Sequence, residues 1–291
     1  MANIENASQP ENEAPEEEKS FFKIIVHSFF IVPFLIAVFC VLLFAGIHLL
    51  TSEQRSAYDY LEDVKTGGTT KRWQGAFELS RLLSNPGLIP DEERFAQELI
   101  NAFEKSKGDD PRTRQYLALA MGRTGRKVFM KPMTDGLSEE REGNLPALIF
   151  GLGMLGQKES AAYLYPYAEH QDSRIRSIAV AALGTIANPD AKGVLIRHLN
   201  DPEPNVQWGA AVSLAQMNDA AGKEMLVRML DRKYWSTFPQ VSLDEQNNLM
   251  LTALQAAAVL NDTDLNSRIL AVLKSDPNLK VRAAAEMALH K

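Results

Sequence analysis

The chain has 291 residues, of which 45% are hydrophobic and 23% charged, and its formal net charge is −6. This composition is normal for a chain with a packed core. The mild acidic balance gives no electrostatic basis for nucleic-acid binding, since proteins that track phosphates carry a basic surplus. The one cysteine, Cys40, lies in an apolar segment, so the rest of the chain has neither a disulfide nor a cysteine-based metal site.

Residues 1–20 form an acidic segment with six glutamates, two prolines and one aliphatic residue beyond alanine, Ile4. Such a segment buries too little apolar surface to offset the entropy lost on ordering. We expect a disordered acidic tail. The alternative that remains open is an acidic docking peptide.

Residues 21–50 are strongly apolar, and the stretch from Phe29 to Leu50 contains no charged residue. As a helix, this stretch spans about 33 Å, close to the thickness of a bilayer core. A cleavable signal peptide would have a shorter apolar run and a small-residue cleavage site, and no such site follows. The sequence therefore predicts a transmembrane helix over 21–50.

The orientation of this helix depends on the flanking lysines and arginines. Lys19 and Lys23 lie on one side of the uncharged stretch 29–50, and Arg55 and Lys65 lie on the other, so the two sides are balanced. Lys71 and Arg72 lie just beyond and favour a cytoplasmic repeat domain. We expect a single-pass protein of the cell (inner) membrane with its repeats on the cytoplasmic side.

Residues 51–70 predict a juxtamembrane linker helix, and residues 71–291 repeat with a spacing of 31. Four windows, which begin at Tyr116, Ala147, Ile178 and Gly209, share a large apolar sixth position and small fifth and seventh positions. Apolar residues three apart mark one face of a helix, and no run alternates with period two. We expect the small residues to let the two helices of each pair approach closely.

The register then jumps by 43 residues to a copy that begins at Thr252, and partial copies begin at Gln74 and Ala284. Because one helix pair cannot bury its apolar face alone, such pairs stack. The sequence predicts an all-α fold: an α-solenoid of about six helical hairpins plus a closing helix, preceded by one transmembrane helix.

Polar residues recur where first helices should begin. Asp-Pro dipeptides suit a helix cap followed by a first turn, and they start at Asp110, Asp201 and Asp276. Three arginines near the starts of first helices should pair with an aspartate or a carbonyl of the adjacent turn: Arg114, Arg176 and Arg282.

The segments Asp172–Gly184 and Asp276 to the end, with Val281-Arg282-Ala283-Ala284-Ala285, resemble HEAT repeats, especially the short bacterial form also found in phycobilin lyases. The resemblance covers roughly residues 70–291. It implies a helical solenoid that acts as a scaffold or a partner-binding array. Lyase chemistry would rest on this analogy alone.

No motif predicts catalysis, a metal or a cofactor. His170, His198 and His290 lack metal-ligand spacing. The glycine pattern from Gly151 to Gly156 matches a dinucleotide fingerprint only as text, because it lies inside a helical repeat rather than after a strand. We expect a protein that is not an enzyme, with a lyase as the remote alternative.

The sequence thus favours a membrane-anchored scaffold or adaptor that binds a partner protein through its solenoid. The alternative is an accessory single-pass subunit of a multi-pass, transporter-like membrane complex. Solenoids often bind along their second helices, and long aromatic insertions are often functional. The predicted partner-binding residues are Tyr167, Arg197, His198, Arg228, Tyr234, Trp235 and Phe238. The alternative for the aromatic insertion is that Trp235 and Phe238 fold back over a repeat boundary.

Overall fold

The computed structural model of the chain describes residues 27–51, 55–140 and 143–290, which form sixteen α-helices. These helices fall into two compact units, Met1–Arg55 and Ser56–Lys291. No strand occurs in the described part of the chain, so the all-α prediction is confirmed. The predicted disordered tail at 1–20 lies outside the described residues.

The first unit contains a π-helical turn, His27–Ile31, and helix α1, Val32–Thr51. The candidate span Phe29–Ile47 has 19 residues and a mean hydropathy of 2.9, and none of it is buried within the protein. By length and composition alone, this helix could cross a membrane.

The second unit consists of helix pairs, each with a first and a second helix. The first helices are α3 (Thr69–Leu82), α5 (Pro111–Arg123), α7 (Leu145–Leu155), α9 (Ser173–Ile186), α11 (Pro204–Gln216) and α14 (Leu243–Leu260). The second helices are α4 (Glu93–Lys105), α6 (Met130–Glu139), α8 (Ala161–Ala168), α10 (Lys192–His198), α12 (Lys223–Met229) and α15 (Thr263–Ser275). The remaining helices are α2 (Ala57–Thr66), α13 (Arg232–Trp235) and the closing helix α16 (Leu279–Leu289). Six pairs and a closing helix match the prediction.

Consecutive first helices stack directly on one another from α3 to α11. The small repeat positions make this possible: a Cβ on Gly153 of α7 would lie 2.9 Å from the Cβ of Ala182 in α9. A Cβ on Gly151 would lie 2.8 Å from the carbonyl oxygen of Ala118 in α5. The expectation that these residues bring the two helices of one pair together was therefore wrong. They set the spacing between neighbouring first helices.

One of the three Asp-Pro predictions is confirmed. The Asp110 side chain accepts a hydrogen bond from the Arg112 N–H at 3.0 Å, and Pro111 is the first residue of α5. Proline suits this position because its missing N–H would have no partner in the first turn.

The other two Asp-Pro predictions were wrong. Helices α11 and α16 begin two residues later than predicted, after Glu203 and Asn278. The side chains of Asp201 and Asp276 are buried instead, and they accept the N–H groups of Glu203 and Asn278, each at 2.9 Å. Their carboxylates are also needed for internal ion pairs.

Helix α2 belongs to the packed unit rather than to a linker. Ser56 caps its start with a reciprocal capping box to Asp59. Leu61 and Val64 are buried against α3 and α4. The predicted start of the solenoid at residue 71 was therefore too late. Helix α2 is short and largely polar in sequence, so its apolar face is not evident from the sequence pattern.

The core follows the whole array and divides at one place. One cluster of buried residues extends from Ala57 to Leu214, and a second extends from Trp208 to Ala285. The two clusters meet at α11, which is the last first helix before the 31-residue register breaks. The insertion in the sequence thus coincides with a change in the packing.

Candidate partner-binding surfaces

The arginines at the starts of first helices bind within the chain. Arg114, Arg176 and Arg282 each donate a hydrogen bond from Nη1 to a preceding carbonyl, at 2.7, 2.9 and 3.1 Å. Arg176 also holds the carboxylate of Asp201 through Nε and Nη2, at 2.9 and 2.8 Å. Burial raises the pKa of Asp201, but the hydrogen bonds from Arg176 and the Glu203 N–H outweigh it and leave that pKa below its usual value. The prediction of internal pairing is confirmed.

Two predicted contact residues are exposed on second helices. The Nη2 of Arg197 in α10 lies 3.0 Å from Glu169 Oε1, and the Nη2 of Arg228 in α12 lies 3.8 Å from Glu224 Oε2. Exposed pairs of this kind contribute little to stability. Both guanidinium groups are therefore free to turn towards a partner, and their role stays a prediction.

The other two second-helix residues point inward. Tyr167 is half-buried, and its hydroxyl donates a hydrogen bond to the Leu137 carbonyl at 2.7 Å. Burial raises the pKa of Tyr167. His198 is only 5% exposed, and its Nδ1 lies 3.4 Å from Asp201 Oδ2. The prediction that His198 contacts a partner was wrong, because its ring is covered within the array.

The aromatic insertion forms a buried cluster with Trp208 of α11. The Trp208 ring meets those of Trp235 and Phe238 edge-on, with centroids 4.9 and 5.2 Å apart. Trp208 Nε1 donates to the Tyr234 hydroxyl at 2.9 Å, and Trp235 Nε1 donates to the Met229 carbonyl at 2.9 Å. These hydrogen bonds satisfy both indole N–H groups inside an apolar site.

The cluster decides between the two interpretations of the insertion. Trp235 is 0% exposed, and Tyr234 and Phe238 are half-buried. The prediction that Trp235 contacts a partner was therefore wrong, and the alternative that it covers a repeat boundary describes its position. Tyr234 and Phe238 pack in the same cluster and present only part of their surface.

The surface that the sequence analysis missed lies on the first helices. Its apolar residues occupy outer positions of α3, α5, α7, α9 and α11, and we call it the first-helix face: Phe77, Tyr116, Phe150, Ala181 and Val212. Phe77 is 39% exposed and Phe150 is 51% exposed. Phe77 and Tyr116 also meet edge-on, with centroids 5.1 Å apart.

The sequence contained a signal for this face. Phe150, Ala181 and Val212 follow one another at the 31-residue spacing. Helix α7, which carries Phe150, has no charged residue at all. A helix on the surface of a solenoid is usually charged on its outer side, so an uncharged first helix indicates either full burial or an exposed apolar patch.

A groove of about 450 Å³ continues this face across α9, α11 and α14. Ala181, Val212 and Leu249 contribute apolar surface, and the nearly buried side chains of Trp208 and Met229 also line the groove. The hydroxyl-bearing and amide side chains at its walls are Ser177, Thr185, Asn205, Ser213, Gln216 and Thr252. Its volume is in the range of ligand-binding clefts.

The groove lies where the repeat is interrupted. Helices α9 and α11 pack closely, with Gly184 against Ser213, whereas α11 and α14 pack less closely. Residues 231–242 and the aromatic cluster intervene between α12 and α14. The insertion therefore opens a gap between two first helices.

The chemistry of these surfaces suits binding. No group of three or more histidine, cysteine, aspartate or glutamate residues that could hold a metal occurs in the described part of the chain. The groove combines apolar residues with hydroxyl and amide groups.

Comparisons with known proteins agree with the geometry. The model of the HEAT repeats family matches residues 162–238. The chain is similar to a chain in the complex of CpcE and CpcF of phycocyanin lyase from Nostoc sp. PCC7120, with 18% identity, a TM-score of 0.55, and coverage of 82% of this chain and 97% of that one. The unit Ser56–Lys291 is a helical-repeat solenoid.

A second similar structure is a designed armadillo repeat protein, with 14% identity, a TM-score of 0.39, and coverage of 79% of this chain and 97% of that chain. No curated protein matches the chain by sequence. At 18% identity, the similarity to the chain of the lyase complex shows the fold alone.

Proposed function

We propose that this protein is a membrane-anchored scaffold that holds a partner protein on its first-helix face and performs no catalysis. The observation that carries the proposal is the row of exposed and partly exposed apolar side chains from Phe77 to Val212 on the stacked first helices. Soluble surfaces seldom expose contiguous apolar residues without a binding role. The candidate span Phe29–Ile47 supports the anchoring part.

The first-helix face is a better candidate than the second-helix side. On that other side, ion pairs link consecutive repeats, such as Lys192 Nζ to Asp219 Oδ2 at 3.1 Å and Lys223 Nζ to Asp264 Oδ2 at 2.7 Å. These charges are already partnered within the array. Both sides expose apolar side chains, whose burial stabilises by about 25 cal/mol for each Å² removed from water. Only on the first-helix face do they continue into the groove across α9, α11 and α14.

Photo-crosslinking in cells that naturally make the protein tests this choice. A benzophenone amino acid replaces Phe150 on α7 in one variant and Tyr163 on α8 in another. The two positions are a matched pair, since their side chains are 51% and 52% exposed. We expect a discrete higher-mass adduct from position 150 only. An adduct from position 163 alone, or from neither position, would contradict the proposed face.

Three further measurements test the anchoring, the kind of assembly and the orientation. Alkaline carbonate washing should leave the protein in the membrane pellet, and its release would refute anchoring. Replacing residues 21–50 by a foreign anchor should leave the Phe150 adduct intact. Loss of the adduct would favour the accessory-subunit alternative, in which the anchor itself binds other helices. A reporter that fluoresces only in the cytosol, fused at Lys291, tests the proposed cytoplasmic orientation.

A further inference from the structure

We infer that the groove across α9, α11 and α14 binds an amphipathic helix of a partner protein that carries lysine or arginine at one end. This inference rests on the proposed scaffold function and names the chemistry of one binding site. Helix-in-groove recognition uses apolar anchors from successive turns of the ligand helix. The groove offers apolar surface from three successive first helices for such anchors.

The position of the groove provides the first argument. It continues the first-helix face, because Ala181 and Val212 belong to both. The indole of Trp208 is held in place by the hydrogen bond that its Nε1 donates to the Tyr234 hydroxyl at 2.9 Å. The aromatic cluster thus supports a pre-formed site, which reduces the entropy lost on binding.

The second argument is charge. Glu245 lines the groove at the N-terminal end of α14, and Asp244 precedes it in the same helix turn. Glu203 precedes the first residue of α11 and lies two residues before the lining residue Asn205. Among the described residues, none of these three carboxylates forms an ion pair within 4.0 Å, and the one nearby cation is Arg176, which interacts electrostatically with Glu203 but forms its ion pair with Asp201. By contrast, Asp219 and Asp262 elsewhere on the array are paired with lysines of neighbouring repeats.

The acidic end selects among occupants. A helix with lysine or arginine at its end would place cations beside Glu203, Asp244 and Glu245, which gives orientation as well as affinity. The acidic segment 1–20 of this chain, with six glutamates, has the wrong sign. A basic-ended amphipathic helix satisfies both the apolar lining and the charge.

The probe for this site is a fluorescein-labelled peptide of about four helical turns with leucines along one face and a few lysines at one end. A counter-probe has glutamates in place of the lysines. The protein is the full chain in phosphatidylcholine nanodiscs, and empty nanodiscs provide the lipid background. Fluorescence anisotropy should show saturable binding of the lysine peptide and at least about tenfold weaker binding of the glutamate peptide.

Two variants test the apolar lining. Ala181→Trp fills the groove, whereas Ala162→Trp adds the same side chain at another exposed alanine, on α8 and outside the groove. We expect Ala181→Trp to weaken peptide binding at least about tenfold and Ala162→Trp to leave it within about twofold. Equal effects of the two substitutions would overturn the assignment of the peptide to this groove.

Neutralising the acidic end tests the charge argument. The variant Glu203→Gln/Asp244→Asn/Glu245→Gln should lose about tenfold in affinity for the lysine peptide, because three exposed pairs are removed. Its matched control neutralises three acids that are also exposed and unpaired among the described residues: Asp91, Glu92 and Glu286. A similar loss in the control would show that only net charge matters, and would refute the site.

Failure of the inference is distinguishable from failure of the scaffold function. A retained Phe150 adduct without peptide binding would refute the groove and leave the scaffold in place. Mass photometry adds one further outcome. A doubling of the protein mass that Ala181→Trp abolishes would show that a second copy occupies the groove, which would overturn the peptide assignment.

Discussion

Replacing Trp235 by alanine should destabilise the solenoid more than any exposed aromatic substitution. The side chain is 0% exposed, and its ring contacts those of Trp208 and Tyr234 at centroid distances of 4.9 and 5.3 Å. Truncating a buried tryptophan to alanine costs about 3–5 kcal/mol through lost burial and the cavity that remains. Loss of the Nε1 donor also leaves the Met229 carbonyl without this hydrogen bond, which adds about 1 kcal/mol.

The assay is thermal unfolding of the full chain, followed by circular dichroism at a helical wavelength. A destabilisation of about 4–6 kcal/mol corresponds to a fall in melting temperature of about 8–24 °C for a unit of this size. Trp235→Phe, which keeps most of the ring but lacks the N–H donor, should fall between wild type and alanine. Phe150→Ala is the exposed control and should change stability by less than about 0.5 kcal/mol.

An unchanged melting temperature for Trp235→Ala would refute the covering role of this residue. It would show that the core does not depend on the insertion for its stability. The result would then favour the hypothesis that Trp235 contacts a partner. A fall as large in Phe150→Ala would refute the exposed position of Phe150.

The other predictions concern the stacking and the buried ion pair. Gly153→Val should lower the free energy of unfolding by about 1–3 kcal/mol, because its Cβ would lie 2.9 Å from that of Ala182. Gly193→Ala in α10 meets nothing within 4 Å and should raise that free energy by about 0.5–1 kcal/mol in urea unfolding. Arg176→Met should cost about 3 kcal/mol, because it removes the two hydrogen bonds that Arg176 donates to the buried carboxylate of Asp201. The pKa of Asp201 is lower in the folded protein than in the unfolded chain, so its ionised carboxylate stabilises the fold. This stabilisation is present above about pH 4 and is lost as the pH falls through the pKa of the folded state. The free energy of unfolding of the wild type should therefore fall below about pH 4, and that of Arg176→Met should fall less steeply. An equally steep fall in both proteins would contradict the pairing.

Repetition made much of the fold readable from the sequence. A spacing of 31 residues with recurring apolar and small positions requires the same helix pair several times over, and the structure has six pairs and a closing helix. Arg114 and Arg176 recur near the starts of first helices, which indicated internal pairing. These features are local or periodic, so a single chain displays them.

The tertiary structure alone decided which helices the small residues separate and which surface stays open. A glycine such as Gly153 shows that something must come close, but the sequence does not say whether the neighbour is the second helix of its own pair or the next first helix. Likewise, Trp235 and Phe150 are both large and aromatic, and the sequence favoured Trp235 as the contact. Packing reversed that choice, because the insertion has Trp208 to fold onto, whereas nothing in the described array covers Phe150. Exposure depends on which elements meet across the stack, and this is a property of the assembled repeats rather than of any one segment.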